Sequence, residues 1–225
     1  ETKADKDFLH LQAARETLRS FGVGNLLYAQ SWFWQWDECG IWRKLAEKER
    51  VKRHIHKVAE SQELTDSIVN SIYGLCRTEA FRPDVQFDQS SEDVINCLSG
   101  ELVLDNGEWQ LTPHEREHYR ITQIPVAYEP EARAPRFEQF LEEVFTGDHD
   151  ADDKCRLVCE LLGYTLLSTC RFERFVILIG KGSNGKSVLL RVVKALVGDS
   201  NCAAVQPAEF GNRFQRAHLH GKLAN

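Results

Sequence analysis

Eight consecutive residues, Gly180-Lys181-Gly182-Ser183-Asn184-Gly185-Lys186-Ser187, satisfy the pattern G-x-x-x-x-G-K-[ST] at every required position. The chemistry this spacing serves is the grip on a polyphosphate. Glycines without Cβ atoms let the backbone bend against the phosphates and aim several N–H groups at the anion. A helix starting at the end of the loop adds its positive N-terminal end. Lys186 can reach the β- and γ-phosphate oxygens, and the Ser187 hydroxyl can hold Mg²⁺. The expected cofactors are therefore ATP and Mg²⁺, with residues 180 to 187 as the ATP-binding set. At ordinary residue usage a chance match arises in roughly one chain in a hundred of this length.

Hydrolysis needs more than a cradle: an acidic residue at the end of another strand helps to hold Mg²⁺, and a further group orients water. Asp199 and Glu209 do not end an apolar, strand-like run. The candidate second strand starts at Lys222-Leu223-Ala224-Asn225, so the catalytic acids are expected beyond Asn225 and stay unassigned. His114-Glu115-Arg116-Glu117-His118 satisfies the zinc pattern H-E-x-x-H. Pro113 precedes it and no apolar periodicity surrounds it, so it reads as a loop and no structural metal is expected. Cys155 and Cys159 are four apart, but no second pair completes a zinc set. The seven cysteines are odd in number and scattered, as core thiols in a reducing compartment are.

The elements that must position the loop can be read on either side of it. Phe175-Val176-Ile177-Leu178-Ile179 is a continuous apolar run of strand length, expected to be buried on both faces. Residues 187 to 197 read as an apolar helix ended by Gly198-Asp199. Upstream, short and longer helices are expected at 137–145 and 152–167. Pro113, Pro125, Pro130 and Pro135 punctuate an extended connector, which puts a domain boundary near residue 130.

Before that boundary, residues 5 to 20 read as a helix with Phe8, Leu11 and Leu18 on its apolar face, stopped by Gly22 and Gly24. Asn25–Ala29, Ser31–Trp36 and Ile41-Trp42 form a β section carrying four tryptophans. Residues 43 to 60 turn helical, with Val51, Ile55 and Val58 as a narrow apolar stripe and basic residues around the remainder. Leu64, Ile68, Ile72 and Leu75 mark another helix that starts near Thr65-Asp66. Short strands follow from Val94 to Trp109, with a tight turn at Asn106-Gly107.

The 225 residues are 42% apolar, enough for an ordinary packed core. No stretch approaches the ~18 continuous apolar residues of a membrane span. The charged start, Glu1-Thr2-Lys3-Ala4-Asp5-Lys6-Asp7, leads into no apolar signal region, so a cytoplasmic protein is expected. A chain without any methionine reads as a piece cut from a longer polypeptide. Net charge is −6, which repels nucleic acid overall, yet Arg43 to Lys57 carries seven Lys/Arg against Glu47 and Glu49. Lys52, Arg53 and Lys57 are the candidate DNA contacts on that helix; the plain alternative is a solvated surface.

Taken together, these residues resemble the superfamily 3 helicases of bacteriophages, plasmids and large DNA viruses, in their primase-helicase branch. The resemblance rests on the phosphate loop with Asn184 before Gly-Lys-Ser, and on Leu161-Leu162-Gly163-Tyr164 upstream. It extends to Asn96-Cys97-Leu98-Ser99-Gly100, Pro113-His114 and Tyr128-Glu129-Pro130-Glu131-Ala132 with Pro135. The hairpin from Trp36-Asp37 to Trp42 looks like the start of the domain that precedes the motor in poxvirus and phage relatives.

The resemblance implies an α/β P-loop NTPase, a truncated AAA+-like helicase core, preceded by a mixed α+β, largely helical domain. It divides the chain into an N-terminal helix (1–24), a pre-motor domain (25–130) and the start of the ATPase domain (131–225). It implies a hexameric ring on single-stranded or forked DNA, a primase region or protein as partner, and a bacterial host or virus-infected cell as setting. The segment like Leu219 to Asn225 would lead into the catalytic strand, so the enzyme would be an ATP-hydrolysing DNA helicase in the parent and this piece alone inactive. Lys181 departs from the small residue or proline often found after the first glycine. Two other classes compete: another P-loop phosphotransferase such as a nucleotide kinase, and a non-catalytic collar or oligomerisation module.

Overall fold

The computed structural model describes residues 3–59, 64–89, 93–169, 172–182, 184–219 and 221–224. Among them are seven α-helices and two three-stranded antiparallel sheets. The chain forms two compact units, 1–89 with 115–121, and 90–114 with 122–225. The chain thus leaves the first unit, enters the second and returns once.

In the first unit, α1 (Lys3–Arg19) leads into β1 (Leu26–Ala29), β2 (Trp32–Asp37) and β3 (Ile41–Leu45), then α2 (Lys48–Val58) and α3 (Asp66–Glu79). The sheet order is β1-β2-β3, with Tyr28 opposite Phe33 and Phe33 opposite Leu45. Thr65 caps α3: its side-chain oxygen accepts the Ile68 N–H at 3.4 Å, satisfying one of the first-turn donors. Residues after α3 run beside β1, where Tyr28 N–H donates to the Ala80 carbonyl at 2.8 Å and Arg82 N–H to that of Tyr28 at 2.9 Å. The returning segment 115–121 covers the other edge, the Trp42 N–H donating to the Arg120 carbonyl at 2.7 Å. Paired edges do not recruit foreign strands.

One side of this sheet packs on the helices through Phe33, Leu45, Val51, Ile55, Val69, Ile72 and Cys76. The other gathers Leu27, Ala29, Trp34, Trp42, Val85 and Phe87. Such alternation along β2 is what a sheet buried on both faces requires. Two expectations need correction here. The apolar face of α1 is not built on Phe8, which is 67% exposed; Ala13, Ala14 and Thr17 are buried instead. Small side chains let α1 lie close to α3, and no large one would fit. Residues 43–45 extend β3 rather than begin a helix, because Arg43 and Lys44 pair with Gln35 and Trp34. The helix starts at Lys48.

In the second unit, β4 (Val94–Cys97), β5 (Gly100–Asp105) and β6 (Glu108–Thr112) form a meander. Asn106 and Gly107, with φ of 49° and 87°, close the β5–β6 hairpin as the Asn-Gly dipeptide predicts. α4 (Pro135–Phe145), α5 (Ala151–Thr165), α6 (Lys186–Val197) and α7 (Arg213–Ala217) follow. Leu141, Val158, Leu162 and Leu189 bind α4, α5 and α6 into one cluster. Gly198, with φ of 87°, ends α6 where Gly198-Asp199 was expected to.

The expectation of a buried strand at 175–179 is overturned. The segment pairs with no described strand, and Phe175, Ile177 and Ile179 are 83%, 69% and 86% exposed. Leu178 alone joins the α4–α6 cluster. An apolar run makes a buried strand only when neighbouring strands flank it, and no described residue takes that place.

The expectation that most thiols are buried also fails: Cys76 and Cys97 are buried, Cys39 and Cys159 exposed, Cys155 and Cys202 between; Cys170 lies outside the described residues. No described helix is long and apolar enough to cross a membrane.

Candidate functional site

Between the exposed run and α6, the phosphate-loop residues turn sharply at glycines. Gly182 has φ of 108° with open space where a Cβ would lie, and Gly185 has φ of 79° at the helix N-cap position. A Cβ on Gly185 would stand 2.7 Å from Val144 Cγ2 and 3.0 Å from Phe140 Cζ, so α4 leaves room for glycine alone. A Cβ on Gly180 would collide with the Asn184 side chain.

Gly185 offers no side-chain cap, so the first N–H groups of α6 meet no local acceptor of that kind. The Lys186 ammonium turns back over the loop, donating to the Asn184 Oδ1 at 2.5 Å and the Gly180 carbonyl at 3.2 Å. Both acceptors are neutral, so its positive charge is positioned without being neutralised. Ser187 and Lys181 are exposed, and Ser187 sits in the first turn of α6, where its carbonyl accepts from Arg191 Nε at 3.2 Å. Ser183 lies outside the described residues.

This donor set suits a polyphosphate: an ammonium, an uncapped helix N-terminus of twelve residues, and glycine backbone without side-chain obstruction. Sequence reasoning found its members because they are contiguous. It could not find Phe140 and Val144, which enforce Gly185 from α4, forty residues away in the chain.

The H-E-x-x-H segment forms a loop and a short 3₁₀ turn, Arg116–His118, rather than an α-helix. His114 Nε2 lies 2.8 Å from the Cys97 carbonyl, while His118 Nε2 is 3.5 Å from Glu115 Oε2. Among the described residues, no three His, Cys, Asp or Glu side chains group as metal ligands.

The candidate DNA contacts lie on α2. Arg53 and Lys57 are exposed and Lys52 is partly so, while Val51 and Ile55 are buried on the opposite face. Five Lys/Arg stand against Glu49 along this helix. His54 stacks on Phe21 with ring centroids 3.9 Å apart, and its Nδ1 lies 2.8 Å from Ser20 Oγ. Burial, then the charges of Lys57, Arg50 and Arg53, hold its pKa below the ordinary value. A neutral His54 therefore separates the basic face of α2 from the core.

Residues 18–146 match the family described as D5 N terminal like, which covers more than half of the chain. The chain belongs to that family, the pre-helicase region of phage and viral primase-helicase proteins. Membership ties it to proteins of DNA replication. Residues 178–225, which hold the phosphate loop, match a family described as of unknown function (DUF5906). No curated protein matches the chain.

Proposed function

We propose that this chain joins the pre-motor domain of a superfamily 3 DNA helicase to the beginning of its ATPase domain, with residues 180–187 gripping ATP and Mg²⁺. The observation that carries this reading is Lys186: its ammonium is held over a glycine loop at the N-terminus of a twelve-residue helix. Family membership supplies the helicase context, since the matched domain precedes the motor in primase-helicase proteins.

When bound, Mg²⁺-ATP supplies the phosphoanhydride whose cleavage drives strand separation. The chain's own residues do the holding. Lys186 would exchange its neutral acceptors for anionic ones, the backbone N–H groups of Gly182, Asn184 and Gly185 would be available to phosphate oxygens, and Ser187 would offer its hydroxyl to the cation. Charge-assisted bonds are roughly twice as strong as neutral ones, so the ammonium gains by leaving Asn184 and Gly180. The general acid–base and arginine groups are assigned to no residue of this chain. In this reading the full enzyme is a ring, hexameric on DNA and working with a primase.

The deciding experiment is calorimetric titration of the 225-residue chain with Mg²⁺-ATP, then of Lys186→Ala. Micromolar to millimolar binding that the substitution removes supports the reading. Equal binding by both proteins overturns it, and preference for a nucleoside monophosphate would favour a nucleotide kinase.

A further inference from the structure

We propose that a cavity in the first unit, walled by Tyr28, Trp32, Phe33 and Tyr73 and edged by Lys48 and Arg77, captures one base of a single-stranded nucleic acid. It is a second site, separate from the phosphate loop, and it rests on the proposed helicase role only for the class of ligand. The cavity measures about 320 Å³, with Leu45, Val51, Ser31 and Glu47 completing its lining. Small-ligand pockets start at about 300 Å³, which suits one flat heterocycle and not a folded peptide.

Three elements build it. The β1–β2 turn places Gln30 and Ser31 at φ of 50° and 69°, the left-handed pair a two-residue hairpin demands, here without glycine. That turn sets Tyr28 and Trp32 at one end of the sheet. α3 contributes Tyr73 and Arg77, one helical turn apart on the same face. α2 contributes Val51 from its buried stripe and Lys48 from its first turn, which no side chain caps.

The rings are already arranged to receive another ring. Tyr28 meets Phe33 edge-on at 5.0 Å, and Phe33 meets Tyr73 at 5.6 Å. Arg77 lies 4.7 Å over the face of Tyr28, and Lys44 lies 3.5 Å over that of Trp32. Trp32 is 38% exposed although it sits in a strand, with the Lys44 ammonium over its ring. Cations resting on aromatic faces mark surfaces where a base can stack and its phosphate can be met at once. Stacking uses the ring face that every base presents, so recognition would be tolerant of sequence.

Two features favour a strand over a free nucleotide. Lys48 and Arg77 line the cavity with Glu47, while Lys44 lies over the Trp32 ring and the charge of Glu49 reaches Tyr73. Positive charge then continues along α2 beyond the cavity with Lys52, one turn after Lys48 on the same face. A ligand that meets both lysines and Arg77 carries more than one phosphate. A duplex would first have to expel a paired base, so an unpaired strand is the fitting form.

The test is fluorescence anisotropy of a dye-labelled oligothymidylate on the 225-residue chain. It is repeated with an abasic oligonucleotide of equal length and charge, with duplex, and with free thymidine monophosphate as competitor. Stacking on an aromatic side chain predicts a loss of about tenfold in affinity for Trp32→Ala and for the abasic strand. Trp32→Phe should keep binding near wild type, and Arg77→Gln should weaken it and flatten its salt dependence.

Equal affinity for the abasic strand would show that only phosphates are read, and would overturn the proposal even if Trp32→Ala failed to fold. Equal affinity for duplex, or displacement by the monophosphate at the strand's own concentration, would overturn it as well. Lys186→Ala should leave strand affinity unchanged, so failure at this site and failure at the ATP site are told apart.

Discussion

The Nζ of Lys186 stands 2.5 Å from Oδ1 of Asn184, so the first residue of α6 reaches back across the loop that leads into the helix. Both residues bear on one charge: Lys186 carries it and Asn184 holds its direction. Lys186→Ala should therefore weaken Mg²⁺-ATP binding by at least about tenfold, a charged hydrogen bond being worth about 1.5–3 kcal/mol, whereas Asn184→Ala, which removes only an acceptor that the ammonium gives up on binding, should cost less. Isothermal titration of the two variants checks the order.

Gly185 is held by two constraints at once, its φ of 79° and the approach of Val144 and Phe140. Gly185→Ala should cost about 1–3 kcal/mol from the backbone alone. Denaturant unfolding should show it. Gly182→Ala meets no neighbouring atom and should show only the backbone penalty of its φ of 108°.

Ile72 is wholly buried among α1, α2 and the sheet, while Phe8 is 67% exposed. Ile72→Ala should destabilise the first unit by about 2–5 kcal/mol. Phe8→Ala should stay within about 0.5 kcal/mol of the parent. Thermal and chemical melts of both variants distinguish this burial pattern from the amphipathic α1 that the sequence suggests.

His54 has a folded-state pKa below its ordinary 6.5, from burial and then the charges of Lys57, Arg50 and Arg53. The unfolded chain therefore binds the proton more readily, and stability is retained above pH 6.5 and lost as pH falls from 6.5 through the lower folded value. His54→Asn should remove that part of the acid dependence. Chemical denaturation between pH 8 and 5 checks the sign.

Burial pushes the Cys76 thiol up to about 12, and the side chain is wholly enclosed. Iodoacetamide at pH 8 should modify exposed Cys39 and Cys159 first and leave Cys76 intact until the unit unfolds. Peptide mass mapping over time reads the order.

What the sequence by itself determined is local. The start of α3 at Thr65, the hairpin at Asn106-Gly107 and the end of α6 at Gly198 each depend on residues within a few positions of one another. Their backbone demands are met by those residue types wherever they stand. The tertiary structure decided which surfaces meet. It made α1 bury alanines, extended β3 to Leu45 by pairing with β2, brought 115–121 back beside β3, and left Phe175 to Ile179 exposed. It also drew Tyr28, Trp32, Tyr73 and Arg77 around one cavity from three separate elements. Burial depends on partners distant in the chain, and an apolar run has the same composition whether or not a neighbour covers it.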